Sequence, residues 1–192
     1  MTEQDPRKLY EREAALADYS GKDRVVKASE LQAALLSESS KAHSFSTGLA
    51  RLDMAIGNLE SGELIALGGP TKHGKTLVAQ TITHNLSRAG VGCLWFTFEV
   101  PPRQFLQQLP PLGFDYYMPK VLELHKVDWV ADRVYEAKVK YDARVVFIDN
   151  LHHIFDIAVS RNPSMDIGGI IRHLKRLAVG LTTVIVLLCH SR

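Results

Sequence analysis

Residues 69–76 read GPTKHGKT and match the phosphate-binding pattern G-x-x-x-x-G-K-[ST]. In a loop of this kind, the glycines let backbone N–H groups surround the phosphates of a nucleotide. The lysine reaches the β- and γ-phosphate oxygens, and the hydroxyl group binds Mg²⁺. We therefore expect the whole loop to bind nucleotide: Gly69, Pro70, Thr71, Lys72, His73, Gly74, Lys75 and Thr76.

The segments on either side of this loop have the patterns that it requires. Glu63 to Leu67 is a short apolar run bounded by glycines, which predicts a buried central strand. Leu77 to Ala89 has apolar residues near helical spacing, and Gly90 follows as a predicted C-cap. A helix that begins directly after the loop points its free N–H groups and its positive dipole end at the phosphates.

The rest of the chain alternates apolar runs with amphipathic segments. The predicted strands are Gly92–Phe98, Val121–Leu124, Arg144–Asp149 and Thr183–Cys189; the predicted helices are Arg103–Gln108, Val127–Tyr141 and Asp166–Val179; Pro110–Pro119 is a predicted connector and Ile154–Met165 a predicted loop. Strands that are apolar throughout and alternate with helices indicate a mostly parallel sheet that is covered on both faces. We therefore predict a three-layer α/β/α fold.

The N-terminal part of the chain shows helical patterns but no catalytic motif. Pro6 to Tyr19 is rich in helix formers, and Ser29 is the predicted N-cap of a second helix, Glu30 to Leu36. We expect a helical segment or linker over residues 1–43 and the α/β domain over residues 44–192. The short helices must dock either on this domain or on a neighbouring subunit, and both alternatives stay open.

Composition and charge set few limits on the partners. The chain has 192 residues, 23 of them basic and 21 acidic, and this balance neither implies nor excludes nucleic acid. The N-terminal residues are polar and charged, and the apolar run 184–189 is too short to span a bilayer. Cys93 and Cys189 lie in apolar runs, as buried thiols do in a reducing compartment. We expect a soluble, cytoplasmic protein without membrane contact.

Polar residues follow several predicted strands at their carboxyl ends, where ligands gather in an open parallel sheet. Asp149 is predicted to hold Mg²⁺ opposite Thr76, and Glu99 to activate the attacking water. His190 is predicted to hydrogen-bond the γ-phosphate. Each of these residues also has a structural alternative: Asp149 would be a solvated aspartate, Glu99 an acid at a helix start, and His190 a buried structural histidine. Together with the loop, these residues predict ATP as the ligand.

Other polar residues have weaker patterns. His152 and His153 are adjacent in the chain, so they point in different directions and make a poor metal pair. Arg103 either lies over the nucleotide base or is an exposed helix residue.

These motifs resemble those of the RecA-like P-loop ATPases and, within them, the hexameric replicative helicases of the DnaB type. The resemblance runs from about residue 46 to residue 192 and rests on five segments: TGLARLD (47–53), GPTKHGKT (69–76), FTFE (96–99), VFIDNL (146–151) and IRHLKRLA (171–178), which leads to the strand 184–192.

The resemblance implies ATP hydrolysis, with Lys75 on the phosphates, Thr76 and Asp149 on Mg²⁺, and Glu99 as the catalytic base. His190 would stand where many members have glutamine, and a histidine at this position is similar to phage-type helicases and some related ATPases. The resemblance also implies a homo-oligomeric ring, an arginine finger from a neighbouring subunit, and channel loops that grip single-stranded DNA.

The sequence stops just after the predicted strand Thr183–Cys189 and His190, so the resemblance implies a C-terminally incomplete ATPase domain without the second channel loop and the finger. We expect either a fragment of a longer protein or a reduced relative that cannot unwind DNA alone. The DNA contact has no direct support within this chain, and Arg161 and Arg172 are candidates for it. Three alternatives remain open: a recombinase-like or regulatory ATPase, a nucleotide-dependent assembly module without unwinding activity, and a small-molecule kinase.

Overall fold

The computed structural model describes residues 6–21, 24–37, 43–108, 116–124, 126–151, 154 and 163–190. The chain forms two compact units, residues 1–40 and 41–192. The domain boundary that we placed after residue 43 stays a prediction.

The first unit contains two helices, α1 (Pro6–Ala17) and α2 (Ala28–Ser37). Helix α2 begins before Ser29, because the backbone N–H groups of Glu30 and Leu31 both donate to the Lys27 carbonyl oxygen. Ser29 therefore lies inside the first turn, and its prediction as the N-cap is wrong.

The second unit is an α/β domain. Its strands are β1 (Ser44–Phe45), β2 (Leu59–Glu60), β3 (Leu64–Gly69), β4 (Cys93–Thr97), β5 (Tyr116–Tyr117), β6 (Val145–Asp149) and β7 (Val184–His190). Its helices are α3 (Ala50–Ile56), α4 (Lys75–Arg88), α5 (Pro102–Gln108), α6 (Val127–Tyr141) and α7 (Pro163–Leu181). Strands β1 and β2 form an antiparallel pair. The other five form one sheet in the order β3-β7-β6-β4-β5, in which every pair is parallel. The predicted α/β fold with a parallel sheet is confirmed. The prediction of a buried central strand before the loop is wrong in its position: β3 is the first strand of this order, paired only with β7 among the described strands, and its residues are half-buried or exposed.

The core lies on both faces of this sheet, because side chains along a strand alternate between the two faces. On one face, Trp95 and Phe147 stack on each other and pack with residues of α4 and α5. On the other face, Phe96 and Ile148 pack with residues of α6 and α7. Strands β4 and β6 are buried along their whole length, which explains why all their residues are apolar except the last ones, Thr97 and Asp149.

One predicted strand is wrong. Residues 121–124 do not form a strand, and the side chain of Val121 is 71% exposed. Instead, strand β4 pairs with β5, whose residues Tyr116 and Tyr117 belong to the predicted connector. Tyr116 lies opposite Cys93, and Tyr117 lies opposite Leu94. A short apolar run becomes a strand only where the chain lies against a sheet edge, and that contact is tertiary rather than local.

Helix α7 begins at Pro163, within the predicted loop 154–165. Proline suits the first position of a helix because the N–H group that it lacks has no intrahelical acceptor there. Residues 110–115 of the predicted connector and residues 155–162 of the predicted loop lie outside the described residues. In the part of the chain that the structure describes, no helix has the length and apolarity needed to cross a membrane.

Candidate functional site

The sheet order brings the carboxyl ends of four strands to one edge of the domain. Strand β7 lies between β3 and β6, and the register places Gly69 opposite His190. Thr97, at the end of β4, lies opposite Asp149, at the end of β6. Glu99 follows β4 by two residues. The loop after β3 therefore lies at the same edge as Glu99, Asp149 and His190, which are distant in sequence.

A cleft of about 630 Å³ opens at this edge. It is lined by Thr71, Lys72, Gly74, Lys75 and Thr76 of the loop, by Leu77 and Gln80 of α4, and by Glu99, Val100 and His190. Its volume falls in the range of small-molecule and cofactor sites. The cleft is therefore large enough for a nucleotide.

The loop folds as a tight turn that ends in helix α4. Gly74 precedes the helix with φ +83, a conformation that glycine adopts without steric cost. Within the described residues, no side chain caps this helix, so its first backbone N–H groups stay available for an anion. The Nζ of Lys75 donates to the carbonyl oxygens of Gly69 and Pro70, at 2.9 and 2.8 Å. These contacts hold the ammonium group over the loop.

Thr76, which lines the cleft, contacts Asp149 at the end of β6. The Thr76 hydroxyl donates to Oδ2 of Asp149 at 2.8 Å, and Asp149 is only 1% exposed. Burial raises the pKa of Asp149, and the nearby carboxylate of Glu99 raises it further, against the Thr76 hydrogen bond and the charges of His190 and Lys75. A hydroxyl and a carboxylate that converge in this way suit a hard cation such as Mg²⁺.

The described residues contain no group of three or more His, Cys, Asp and Glu side chains that could hold a metal. Mg²⁺ is commonly bound through one or two protein groups, with water and substrate phosphates as the remaining ligands. The pair Thr76 and Asp149 therefore fits Mg²⁺ better than a metal that requires a complete protein cage.

The raised pKa of Asp149 predicts how stability changes with pH. A carboxyl group with a raised pKa in the folded state favours folding below its unfolded pKa, and this contribution is lost as the pH rises through the folded value. Without nucleotide and Mg²⁺, Asp149→Asn should therefore raise the melting temperature at pH 7, with a smaller gain near pH 4. Thermal unfolding at several pH values measures this.

Asp53→Asn is the matched control of opposite sign. Hydrogen bonds from Thr47 and Ser46 lower the pKa of Asp53, so its carboxylate favours folding at neutral pH. Asp53→Asn should lower the melting temperature at pH 7. A loss of stability in Asp149→Asn as well would contradict the burial penalty at Asp149.

A second cluster joins Glu99, His190 and Asn150. Oε2 of Glu99 lies 2.9 Å from Nδ2 of Asn150 and 3.1 Å from Nε2 of His190. Nδ2 of Asn150 and Nε2 of His190 are 2.8 Å apart. Sequence reasoning did not select Asn150. Its position directly after Asp149 could have indicated it, because the residue that follows a strand-end acid lies at the same edge of the sheet.

His190 also contacts the loop. Its Nδ1 lies 3.3 Å from the Thr71 hydroxyl oxygen, so its ring lies between the loop and the Glu99 cluster. His73 places its own Nδ1 2.9 Å from the Thr71 carbonyl oxygen, within the same loop. Thr71 thus contacts both His73, within the loop, and His190, at the end of β7.

The remaining candidates lie elsewhere. Arg103 is an exposed residue of α5, and Arg172 is an exposed residue of α7. Neither belongs to the cleft lining given above. His152, His153 and Arg161 lie outside the described residues, so their predicted roles are untested.

In a comparison with known protein families, a family model described as AAA domain matches residues 28–192. A comparison with curated proteins found no match. The matched region includes the loop, the five-stranded sheet and all the cleft residues named above.

Proposed function

The chain belongs to the AAA domain family of P-loop ATPases, and on that basis we propose that it binds ATP and hydrolyses it with Mg²⁺. One observation supports this proposal most directly. The phosphate-binding loop and the carboxylate of Glu99 line a single cleft at one sheet edge, and Thr76 of the loop contacts the buried carboxylate of Asp149.

The loop binds the phosphates in this proposal. The N–H groups at the start of α4 and the ammonium group of Lys75 supply positive charge from one side of the cleft. Lys72, Thr71, His73 and the loop backbone complete the phosphate cradle. Thr76 and Asp149 would hold Mg²⁺, which neutralises the negative charge that develops on the phosphates during transfer.

Glu99 is the proposed general base. Its side chain is 36% exposed and lines the cleft, so it can reach a water molecule there. The carboxylate accepts a proton from the water, the water oxygen forms a bond to the γ-phosphorus, and the bond from that phosphorus to the β–γ bridging oxygen breaks. ADP and phosphate are the products. His190, in the same cleft, would contact the γ-phosphate.

We further propose that this ATPase is the motor core of a hexameric replicative helicase of the DnaB type. The support for this finer assignment is the resemblance of the five segments named above, including residues 171–178 before β7. A homo-oligomeric ring and single-stranded DNA are the partners that follow from it. A recombinase-like or regulatory ATPase, or an assembly module, is the alternative.

Phosphate release from ATP, with Mg²⁺ and with EDTA, tests the ATPase assignment. We expect turnover that requires Mg²⁺; release that is equal in both conditions, or absent in both, would overturn the ATPase assignment.

Sedimentation with ATP and Mg²⁺, followed by binding to single-stranded and forked DNA, tests the helicase assignment. A ring that binds neither DNA indicates an assembly module or a regulatory ATPase, and phosphate transfer to a small acceptor indicates a kinase.

A further inference from the structure

We propose that Asn150 is a positioning residue that holds the carboxylate of Glu99 in place for water activation. This inference rests on the proposed function of Glu99 as the general base. It extends that proposal, because it assigns a role to a side chain that acts on Glu99 and not on the substrate.

Asn150 is a buried donor next to a partly exposed acceptor. Asn150 lies directly after β6 and is 3% exposed, whereas the Glu99 side chain is 36% exposed. The Asn150 amide nitrogen lies 2.9 Å from Oε2 of Glu99 and 2.8 Å from Nε2 of His190. An amide group carries two N–H donors, so Asn150 can serve both acceptors.

The backbone ties Glu99 to the same point. The N–H groups of Phe98 and Glu99 both donate to the Asp149 carbonyl oxygen, at 2.7 and 3.2 Å. The residue that precedes Asn150 thus holds the backbone of Glu99, and Asn150 itself holds its carboxylate. Glu99 lies in a turn after β4, where it would otherwise have more freedom than a strand residue.

The contacts of His190 identify which group donates to Glu99. Nδ1 of His190 faces the Thr71 hydroxyl oxygen at 3.3 Å. When Nδ1 carries the proton and donates to Thr71, Nε2 is an acceptor and takes the second N–H of Asn150. This tautomer is assigned from the 2.8 Å contact between Nδ2 of Asn150, which can only donate, and Nε2 of His190; in it, the Asn150 amide and not the imidazole donates to Glu99.

Loss of this contact should slow the chemical step without weakening ATP binding. We expect Asn150→Ala to lower kcat for ATP hydrolysis by about tenfold to a hundredfold, the range for one hydrogen bond to a charged group. KM should change by less than about twofold, because Asn150 is buried and is not among the residues that line the cleft. Asn85→Ala is the matched control: it removes an amide hydrogen bond to the Thr47 carbonyl oxygen, 3.0 Å long and outside the cluster, and should keep the parent kcat.

A double-mutant cycle separates positioning from a general structural role. In the Glu99→Gln background, Asn150→Ala should cause no further loss of single-turnover rate, because the group that it positions is no longer a base. Equal, additive losses in both backgrounds would overturn the inference while leaving the ATPase assignment intact. A parent-like kcat in Glu99→Gln alone would overturn the proposed base, and this inference with it.

A second variant tests the contact without relying on activity, including the case in which Asn150→Ala does not fold. Asn150→Asp keeps the shape of the side chain but places a second carboxylate beside Glu99. It should lower the melting temperature, and the double variant Glu99→Gln/Asn150→Asp should recover it, because an amide again donates to a carboxylate. No recovery in the double variant would show that the two side chains do not form this hydrogen bond.

Discussion

Glu99→Gln is expected to reduce kcat for ATP hydrolysis by a factor of about 100 or more, while ATP binding changes only slightly. The glutamine side chain has nearly the same size and can still contact Asn150 and His190, but it cannot accept a proton from water. Phosphate release under saturating ATP measures kcat, and a fluorescent ATP analogue with Mg²⁺ measures the dissociation constant.

The control for this variant is Glu123→Gln. Glu123 forms a surface ion pair with Lys126 and is not among the residues that line the cleft. Surface ion pairs contribute little to stability. We expect Glu123→Gln to turn over ATP like the parent. If Glu99→Gln did the same, Glu99 would be an acid near the start of α5, the alternative that the sequence left open, and not the base.

Lys75→Met should abolish measurable turnover and weaken ATP binding by at least about tenfold. The substitution keeps the length of the side chain but removes its charge. It also leaves the carbonyl oxygens of Gly69 and Pro70, which the ammonium group contacts at 2.9 and 2.8 Å, without their cationic partner beside the expected phosphates. Carbonyl oxygens repel phosphate oxygens, so the loss should exceed that of one hydrogen bond.

Binding of the fluorescent analogue and phosphate release measure the effect of Lys75→Met. Lys140→Met is a suitable control, since Lys140 forms an exposed ion pair with Glu136 on α6. Thermal unfolding establishes that both variants fold. A Lys75→Met protein that is folded and binds ATP with the parent affinity would contradict phosphate binding by the loop.

Local patterns predicted most of the sheet. Strands β4, β6 and β7 were recognisable because they are buried on both faces, so almost every residue in them is apolar. Helix α6 was predicted with its observed bounds, Val127–Tyr141, because its apolar residues recur at helical spacing. Strand β5 was missed, since two residues against a sheet edge are too few to show a period.

The site residues were predicted one by one, each from its position after an apolar run. The loop, Glu99, Asp149 and His190 all have this signal. Asn150 lacks a pattern of its own, and only the distances to Glu99 and His190 distinguish it from an ordinary polar residue after a strand. Its role therefore comes from the packing of three separate segments.

The sequence by itself determined the phosphate-binding loop and the alternation of buried strands with helices, because burial and turn geometry leave local patterns. Only the tertiary structure decided that β7 lies between β3 and β6. That order places His190 opposite Gly69, within reach of both Thr71 and Glu99. The physical reason is that side-chain periodicity reports which faces of a strand are buried, whereas its neighbours are chosen by hydrogen bonds and packing between segments far apart in the chain.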